Sequence, residues 1–249
     1  MRILISGMLG HMGREVEKLV REGYRGSELA GGVDITATEG CSDVPVAASF
    51  DEAITDVDCI VDFSHHAGTK GLLDFAVKNN IPLVLATTGQ TDEERAMISE
   101  AARQIPLFFA SNYSLGIALL VELAKKAAAA MPDAEIEIVE MHHDRKIDAP
   151  SGTALTLANE IKTVRPEANI VSGRSGMGKR EPNDIGISAV RMGNIVGIHE
   201  VMIGTQNQTI TLKHEAHSRA LFAEGALAAA AFIQGKPAGL YDMKSLIAG

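Results

Sequence analysis

The chain begins with a short apolar strand that passes directly into a glycine-rich turn and then into an amphipathic helix. Residues 2–6 predict a buried parallel strand, and residues 14–22 have helical spacing of apolar side chains. Gly7, Gly10 and Gly13 lie in and beside the turn that joins them. Glycines in such a turn let the backbone approach a phosphate, and the helix start binds its charge. This order predicts a nucleotide-binding unit, although GxxGxxG is not the commonest spacing.

The alternation of strands and helices continues through the first half of the chain. Further strands are predicted at residues 28–33, 58–63, 81–86 and 105–109, and further helices at residues 69–78 and 91–104. Thr91 and Glu94 have the spacing of a capping box at the start of the last helix. Repeated βα units predict an α/β fold with a doubly wound parallel sheet.

Ligands of such a sheet bind beyond the carboxyl ends of its strands, so residues 64–65, 86–88 and 110–113 should line one crevice. Asp34 ends the second strand about 20 residues after the turn, where dinucleotide folds place an acid on the ribose hydroxyls. A carboxylate there repels a 2′-phosphate, and the adjacent Ile35 offers no cation to hold one. The sequence therefore predicts that NADH is used at least as well as NADPH.

The pattern changes in the second half of the chain. Helices are predicted at residues 114–131 and 153–164, and strands at residues 134–141, 185–192, 195–203 and 208–214, without full helices between the last three. This order predicts a smaller α+β domain with a mixed sheet. The final helix, at residues 218–234, is apolar enough to return to the first domain.

The two helices of the second domain are enough to cover one face of its sheet. The other face is expected to carry Ile187, Ala189, Val201 and Ile203. An uncovered apolar face predicts burial against another subunit, so we expect a homo-oligomer. Residues 172–182 form a glycine-bearing loop that is either a lid over a site or an ordinary surface loop.

A polar loop of this second domain carries the residues best suited to chemistry. His142 and His143 are adjacent, and Lys146 follows them. A histidine titrates near neutrality and suits a general acid, because the reduced product of a hydride addition must be protonated. The loop therefore offers one candidate proton donor and two candidate cations.

A predicted helix start follows the same loop. Pro150 prevents a helix before it, and Ser151 is a natural N-cap. The amides of Gly152 and Thr153, with the positive end of the helix dipole, predict an anion site. Loop and helix start together are what the reduction of a small dicarboxylate needs.

Plainer interpretations stay open at this point. The histidine pair is also typical of a surface loop, and Ser-Gly-Thr is also an ordinary helix cap. A metal site is disfavoured because no third His, Cys or carboxylate stands at a zinc-like spacing nearby.

Composition narrows the partners of the chain. The 249 residues carry a net charge of −9, which counts against nucleic acid or an anionic membrane. Cys41 and Cys59 are far apart, so free thiols in a reducing cytoplasm are expected. The N-terminal apolar run is too short for a signal peptide, and no apolar run reaches the length of a membrane span.

Over essentially its whole length, the chain resembles the dihydrodipicolinate reductases of the diaminopimelate route to lysine. The most specific part of the resemblance runs from Glu140 through His142, His143 and Lys146 to the Asp-Ala-Pro-Ser-Gly-Thr-Ala segment that ends at Ala154. The Gly7–Gly13 turn and the Arg-Ser-Gly segment at residues 174–176 also match.

The resemblance implies hydride transfer from NADH or NADPH to a cyclic imine dicarboxylate. His142 would donate the proton, Lys146 would assist, and His143 with the Gly152 and Thr153 amides would hold the substrate carboxylates. Cofactor contacts are implied at Gly7, Met8, Leu9, Gly10, His11, Met12, Asp34, Ala86, Thr87, Thr88, Ala110, Ser111, Asn112 and Tyr113. No metal is implied.

The resemblance also implies a domain assignment and an assembly. Residues 1–113 and 217–249 would form the dinucleotide-binding domain, and residues 114–216 a substrate-binding and oligomerisation domain, commonly joined into homotetramers. Two positions depart from the family pattern: Ala86 stands where Gly is usual, and Ile35 stands where some members carry Arg.

Two rival functions remain at this stage. One is another nicotinamide-dependent dehydrogenase of amino-acid metabolism, such as an aspartate or homoserine dehydrogenase, which the His-His-xx-Lys loop and Ser-Gly-Thr segment disfavour. The other is a regulator that binds NAD(P) without turnover, which predicts cofactor binding but no oxidation in the presence of substrate.

Overall fold

The computed structural model describes residues 1–248, which form twelve β-strands and seven α-helices. The strands are β1 (Arg2–Ser6), β2 (Glu28–Val33), β3 (Val46–Ala47), β4 (Cys59–Asp62), β5 (Leu83–Leu85), β6 (Pro106–Phe109), β7 (Glu135–His142), β8 (Asn169–Ser172), β9 (Asp184–Arg191), β10 (Gly197–Thr205), β11 (Gln208–Ala216) and β12 (Gly239–Tyr241). The helices are α1 (His11–Arg21), α2 (Thr69–Lys78), α3 (Asp92–Ala101), α4 (Leu115–Ala130), α5 (Gly152–Lys162), α6 (Ala220–Ile233) and α7 (Met243–Ala248). No helix within this part of the chain combines the length and apolar character that a bilayer crossing requires.

The chain divides into two compact units. The first consists of Met1–Leu115 and the C-terminal segment from Arg219, and the second is Gly116–Ser218.

The sheet of the first unit has seven strands in the order β12-β6-β5-β4-β1-β2-β3, and every pairing in it is parallel. Its central strands are buried on both faces, as their continuous apolar runs predict. One core cluster joins β1, β4, β5 and β6 to α2 and α3. The predicted doubly wound parallel sheet is confirmed.

Two helix starts in this unit follow from their capping residues. The capping box of Thr91 and Glu94 is present, and α3 begins at Asp92, directly after the N-cap Thr91. Helix α1 begins at His11, three residues before the predicted start, because Gly10 has extended backbone angles and occupies the N-cap. His11 and Met12 therefore belong to the first turn of a helix and not to the glycine turn.

The second unit contains a five-stranded mixed sheet in the order β11-β10-β7-β9-β8. Strand β7 is antiparallel to β10 and parallel to β9, and β10 and β11 form a hairpin. Helices α4 and α5 pack on one face, where their apolar side chains meet those of β7, β9 and β10. The predicted mixed sheet is confirmed.

The sequence interpretation assigned the wrong residues to the uncovered face of this sheet. Ile187, Val201 and Ile203 are at most 2% exposed and belong to the core under α4 and α5. Residue alternation then directs Met202 and its cross-strand neighbours to the opposite face. That uncovered face combines apolar side chains with charged ones such as Glu200 and Lys213.

Candidate active site

The turn after β1 has a backbone that only glycine permits. Gly7 has a φ of +76°, and a Cβ on it would lie 2.6 Å from the carbonyl oxygen of Phe63. The side chain of Met8 is fully buried, so only its main chain is available to a ligand. Because Gly10 has no side chain to cap α1, the amides of the first helical turn are available to an anion.

Asp34 lies beside this turn at the end of β2. Its Oδ2 accepts a hydrogen bond from the amide of Leu9 at 3.0 Å, and its Oδ1 accepts from the amide and hydroxyl of Thr36 at 2.9 and 2.7 Å. Burial raises the pKa of Asp34, but these hydrogen bonds outweigh burial and lower it below its ordinary value. The adjacent Ile35 is 92% exposed. Strand β2 therefore ends next to a fixed negative charge, Asp34. The next residue, Ile35, supplies no cation beside it.

A second carboxylate ties together the ends of three neighbouring strands. Asp62, 1% exposed, accepts hydrogen bonds from the hydroxyls of Ser6 at 2.7 Å, Ser64 at 2.6 Å and Thr87 at 2.6 Å. Burial raises the pKa of Asp62, although the three hydroxyls oppose that shift. Asp62 fixes the loops after β1, β4 and β5. The sequence interpretation had treated it only as a strand residue.

The side chains of the other predicted cofactor residues differ in how far they are exposed to solvent. Ala86 and Thr87 are buried, whereas Thr88 and Ser111 are exposed and Ala110 and Asn112 are half-buried. The Tyr113 hydroxyl donates to the carbonyl oxygen of Leu85 at 2.9 Å, and its ring is buried. The side chain of Tyr113 thus holds the loop after β6 in place, and only its main chain is available to a ligand.

In the second unit, the helix-covered face of the sheet turns polar at the end of β7. Ile136 and Ile138 lie in the core, and the same alternation directs Glu140 and His142 to that face. Arg191 on β9 and His199 on β10 extend the cluster across the neighbouring strands. Glu140 is completely buried and His142 is 9% exposed.

Glu140 is the centre of this cluster. Its Oε2 lies 2.5 Å from Nδ1 of His142, and the amide of Ser151 donates to its Oε1 at 3.1 Å. The guanidinium of Arg191 donates to both carboxylate oxygens, at 2.9 and 2.7 Å. Burial raises the pKa of Glu140, but these hydrogen bonds outweigh burial and lower it below its ordinary value. Because an ionised carboxylate only accepts, Nδ1 of His142 carries a proton and donates it.

His199 lies against the other side of the His142 ring. The two rings meet edge to face with centroids 5.2 Å apart, and Nε2 of His199 hydrogen-bonds with the hydroxyl of Ser151 at 3.2 Å. Burial, followed by the nearby His142, lowers the pKa of His199 to about 4. A Cβ on Gly197 would lie 3.2 Å from Nε2 of His142, so the backbone of β10 approaches that nitrogen closely at a position with no room for a side chain.

The remaining predicted substrate residues lie in the loop and helix that follow β7. Lys146 donates to Asp148 Oδ1 at 2.8 Å, and the amide of His143 donates to Ile195 at 2.8 Å. Ser151 has extended backbone angles, and its hydroxyl accepts from the amide of Ala154 at 3.2 Å, so the predicted N-cap is confirmed. Gly152 and Thr153 form the first turn of α5.

Sequence reasoning missed Arg191 and His199 and gave Glu140 no individual role. The signal for Glu140 was an acid at a core position of an alternating strand, two residues before a histidine. His199 continues a similar alternation on β10, whereas burial along β9 does not alternate, so no such signal marks Arg191. Their pairing with β7 is long-range, and no local pattern reveals it.

Two family profiles match the chain. The profile described as "Dihydrodipicolinate reductase, N-terminus" covers residues 1–113, and that described as "Dihydrodipicolinate reductase, C-terminus" covers residues 116–247.

Curated relatives match at nearly full length. The 4-hydroxy-tetrahydrodipicolinate reductase of Caldanaerobacter subterraneus subsp. tengcongensis is 44% identical over 99% of this chain and 98% of its own. That of Clostridium tetani is 40% identical over 99% of this chain and 96% of its own.

Solved structures agree with these matches. A dipicolinate-bound dihydrodipicolinate reductase from Paenisporosarcina sp. TG-14 superposes with a TM-score of 0.82 at 27% identity, covering 97% of each chain. The aspartate dehydrogenase of Thermotoga maritima superposes with a TM-score of 0.53 at 16% identity, over 95% of this chain and 98% of that one. This second likeness extends to the fold alone.

Proposed function

Because the chain belongs to the dihydrodipicolinate reductase family, we propose that it reduces 4-hydroxy-tetrahydrodipicolinate to tetrahydrodipicolinate with NADH or NADPH, in the diaminopimelate route to lysine. The substrate is a small cyclic dicarboxylate. The observation that carries the proposal is the buried pair of His142 and Glu140, which adjoins the start of α5 through Ser151.

The chemistry needs one hydride and one proton. A reduced nicotinamide, when bound, supplies the hydride. His142 is the proton donor in this proposal, because its Nδ1 is engaged by Glu140 and Nε2 is the ring nitrogen left for the substrate. The imidazole regains its proton from water after each turnover. A general acid of this kind contributes about 10²- to 10⁴-fold to the rate.

The substrate's two carboxylates need cations and amide donors. His143 and the first-turn amides at Gly152 and Thr153 are proposed to hold them, since the helix dipole is positive at that end of α5. Lys146 is proposed to neutralise developing charge and assist protonation. Its present partner, Asp148, is largely exposed, so the ammonium can exchange that carboxylate for one of the substrate.

The end of the first unit's sheet fits a dinucleotide. The main chain of Gly7–Gly10 and the first turn of α1, with His11 and Met12, suit the pyrophosphate, and Asp34 suits the ribose hydroxyls. Residues 86–88 and 110–113 follow neighbouring strands at the same sheet edge and are proposed to line the nicotinamide side. The fixed charge of Asp34 and the aliphatic Ile35 support NADH use at least equal to that of NADPH. We further propose that the first unit is the dinucleotide-binding domain and the second the substrate-binding domain.

We also propose that the uncovered face of the second unit's sheet joins copies of the chain into a homotetramer. Val139, Met141, Ile198 and Met202 are half-buried on that face, and Val190 is 37% exposed. Sedimentation equilibrium tests the proposal. A Met202→Lys variant, which adds a buried charge to such an interface, should dissociate the assembly, whereas Lys213→Arg should not.

A substrate panel tests the reaction. Oxidation of NADH and of NADPH is followed with freshly made product of the preceding synthase, and in parallel with oxaloacetate plus ammonia and with aspartate semialdehyde. The proposal predicts turnover with the synthase product alone. Turnover only with one of the other substrates would identify a dehydrogenase of the rival kind, and cofactor binding without turnover would identify a sensor.

A further inference from the structure

Glu140 occupies a position where the fold by itself calls for an apolar residue. Ile136 and Ile138 precede it on the same face of β7, and both pack in the core. Glu140 is nevertheless ionisable and 0% exposed. Burying a carboxylate costs several kcal/mol unless it is paired and hydrogen-bonded, and an apolar side chain of similar volume is often at least as stabilising. Stability alone therefore does not explain this acid.

The donors around Glu140 divide into two kinds. Arg191 reaches both oxygens and supplies the countercharge that keeps the carboxylate ionised. The other two donors are His142 Nδ1, on Oε2, and the amide of the N-cap residue Ser151, on Oε1. One carboxylate thus contacts the ring of the proposed acid and the residue from which α5 begins.

This arrangement decides which nitrogen of His142 can exchange a proton. A neutral imidazole holds its proton on either Nδ1 or Nε2, and a turn of the ring interchanges their positions. An ionised acceptor on one side holds the proton at Nδ1, so Nε2 is bare in the neutral ring and protonated in the charged ring. The other charged or titratable groups at the ring are Arg191 on β9 and His199 on β10, and the charges of His214 on β11 and of Lys146 in the loop after β7 act on His199.

We propose that Glu140 is a positioning residue, which fixes the His142 ring so that Nε2 is the proton-donating atom and anchors that ring to the start of α5 through the Ser151 amide. The inference rests on the proposed function, because it assigns how that function's acid is held. Glu140 itself does not touch the substrate. The loss of kcat on replacing Glu140 should therefore not exceed the loss on replacing His142.

The first test compares steady-state kinetics of Glu140→Gln, Glu140→Asp and Glu137→Gln with those of the wild type. Glu140→Gln removes the negative charge and places an amide nitrogen, itself a donor, where a carboxylate oxygen accepted hydrogen bonds. Glu140→Asp keeps the charge but moves it one methylene farther from the His142 ring. Both should lower kcat by at least about 10-fold, and by no more than the 10²- to 10⁴-fold that a general acid itself contributes, with a smaller rise in KM. Glu137→Gln is the matched control, because Glu137 pairs with Arg174 and Arg180 on the other face of β7. It should keep the wild-type kcat.

The second test is a double-mutant cycle with His142→Gln. If Glu140 acts only through His142, Glu140→Gln/His142→Gln should be no slower than His142→Gln, within about 2-fold, since residues that act as a unit are not additive. A structural role would lower kcat further in the double variant and would overturn the proposal. If Glu140→Gln does not fold, the same cycle with Glu140→Asp decides.

A third readout does not depend on activity. Nitrogen NMR detects which ring nitrogen of each histidine carries the proton, and the signals of His142 are those that disappear in His142→Gln. At high pH, the wild-type His142 ring should be protonated at Nδ1. In Glu140→Gln this preference should be lost. A wild-type ring protonated mainly at Nε2, or a preference unchanged in Glu140→Gln, contradicts the inference even if the enzyme is an active reductase. Absence of reductase activity in the wild type would instead contradict the proposed function.

Discussion

The hydroxyl oxygen of Ser151 lies 3.2 Å from Nε2 of His199, and both side chains are at most 4% exposed. Nδ1 of His199 has no hydrogen-bond partner among the described residues. Burial and the neighbouring His142 therefore keep the imidazole neutral, with a pKa of about 4. His199 therefore resists protonation well below neutral pH.

This histidine makes stability depend on pH in a defined direction. Its pKa is about 4 when folded and 6.5 when exposed, so below pH 6.5 the unfolded chain binds a proton that the folded chain excludes. The stabilising contribution is present above pH 6.5 and is lost as the pH falls toward 4, by about 2 kcal/mol at pH 5. Urea midpoints at pH 7.5 and 5 should therefore differ less in His199→Gln than in the wild type.

His217→Gln is the control for that measurement, because it removes an exposed histidine of the same unit. It should keep the wild-type difference between the two midpoints. An equal difference in the wild type and in His199→Gln would mean that His199 is not the histidine responsible.

Cofactor preference should respond to position 35. Ile35→Arg adds a cation to an exposed position beside Asp34, and a charge-assisted hydrogen bond to a 2′-phosphate is worth about 1.5 kcal/mol or more. We expect kcat/KM for NADPH to rise roughly 10-fold while that for NADH changes little. Ile35→Gln, which adds a polar side chain without charge, is the matched control. A wild-type enzyme that already strongly prefers NADPH would refute this account of Asp34.

The two adjacent histidines should have separable kinetic roles. His143→Ala removes a proposed carboxylate contact that is made in both the ground state and the transition state. It should therefore raise KM roughly 10-fold and leave kcat nearly unchanged, because uniform binding affects KM alone. Steady-state kinetics with saturating NADH measure both. A loss confined to kcat would mean that the roles of His142 and His143 are reversed.

Local sequence patterns predict the elements of this chain well where a long apolar run meets a clear cap. Thr91 and Ser151 each begin a helix as predicted, because an N-cap hydroxyl satisfies an amide within a few residues. Strands β3, β8 and β12 were not predicted. They have two to four residues each and form by pairing with another strand. Strands β3 and β8 pair with the adjacent strand in the chain across a loop, and β12 pairs with β6, which is distant in sequence.

The error about the second sheet has a physical origin. Alternation along a strand separates two faces but does not say which of them a helix covers. Strand β10 has apolar residues on both faces, with Val201 toward α4 and α5 and Ile198 away from them. Only the packing of the helices decides between these faces.

The part of the candidate site that lies in one continuous segment was predictable from the sequence, and the part that comes from other strands was not. His142, Lys146 and the start of α5 lie within one short segment, and the segment alone indicates them. Arg191 and His199 reach the cluster through strand pairing, so they were not predicted. The roles assigned to all of these residues stay predictions until the variants are measured.

The central claim is that His142 protonates a dicarboxylate that NADH reduces. The most direct measurement is the loss of NADH absorbance when freshly made synthase product is added to the wild type and to His142→Gln, each saturated with cofactor. The account predicts rapid oxidation by the wild type and a kcat lower by roughly two to four orders of magnitude in the variant, the usual contribution of a general acid. Equal rates in the two proteins, or no oxidation by the wild type, would contradict it.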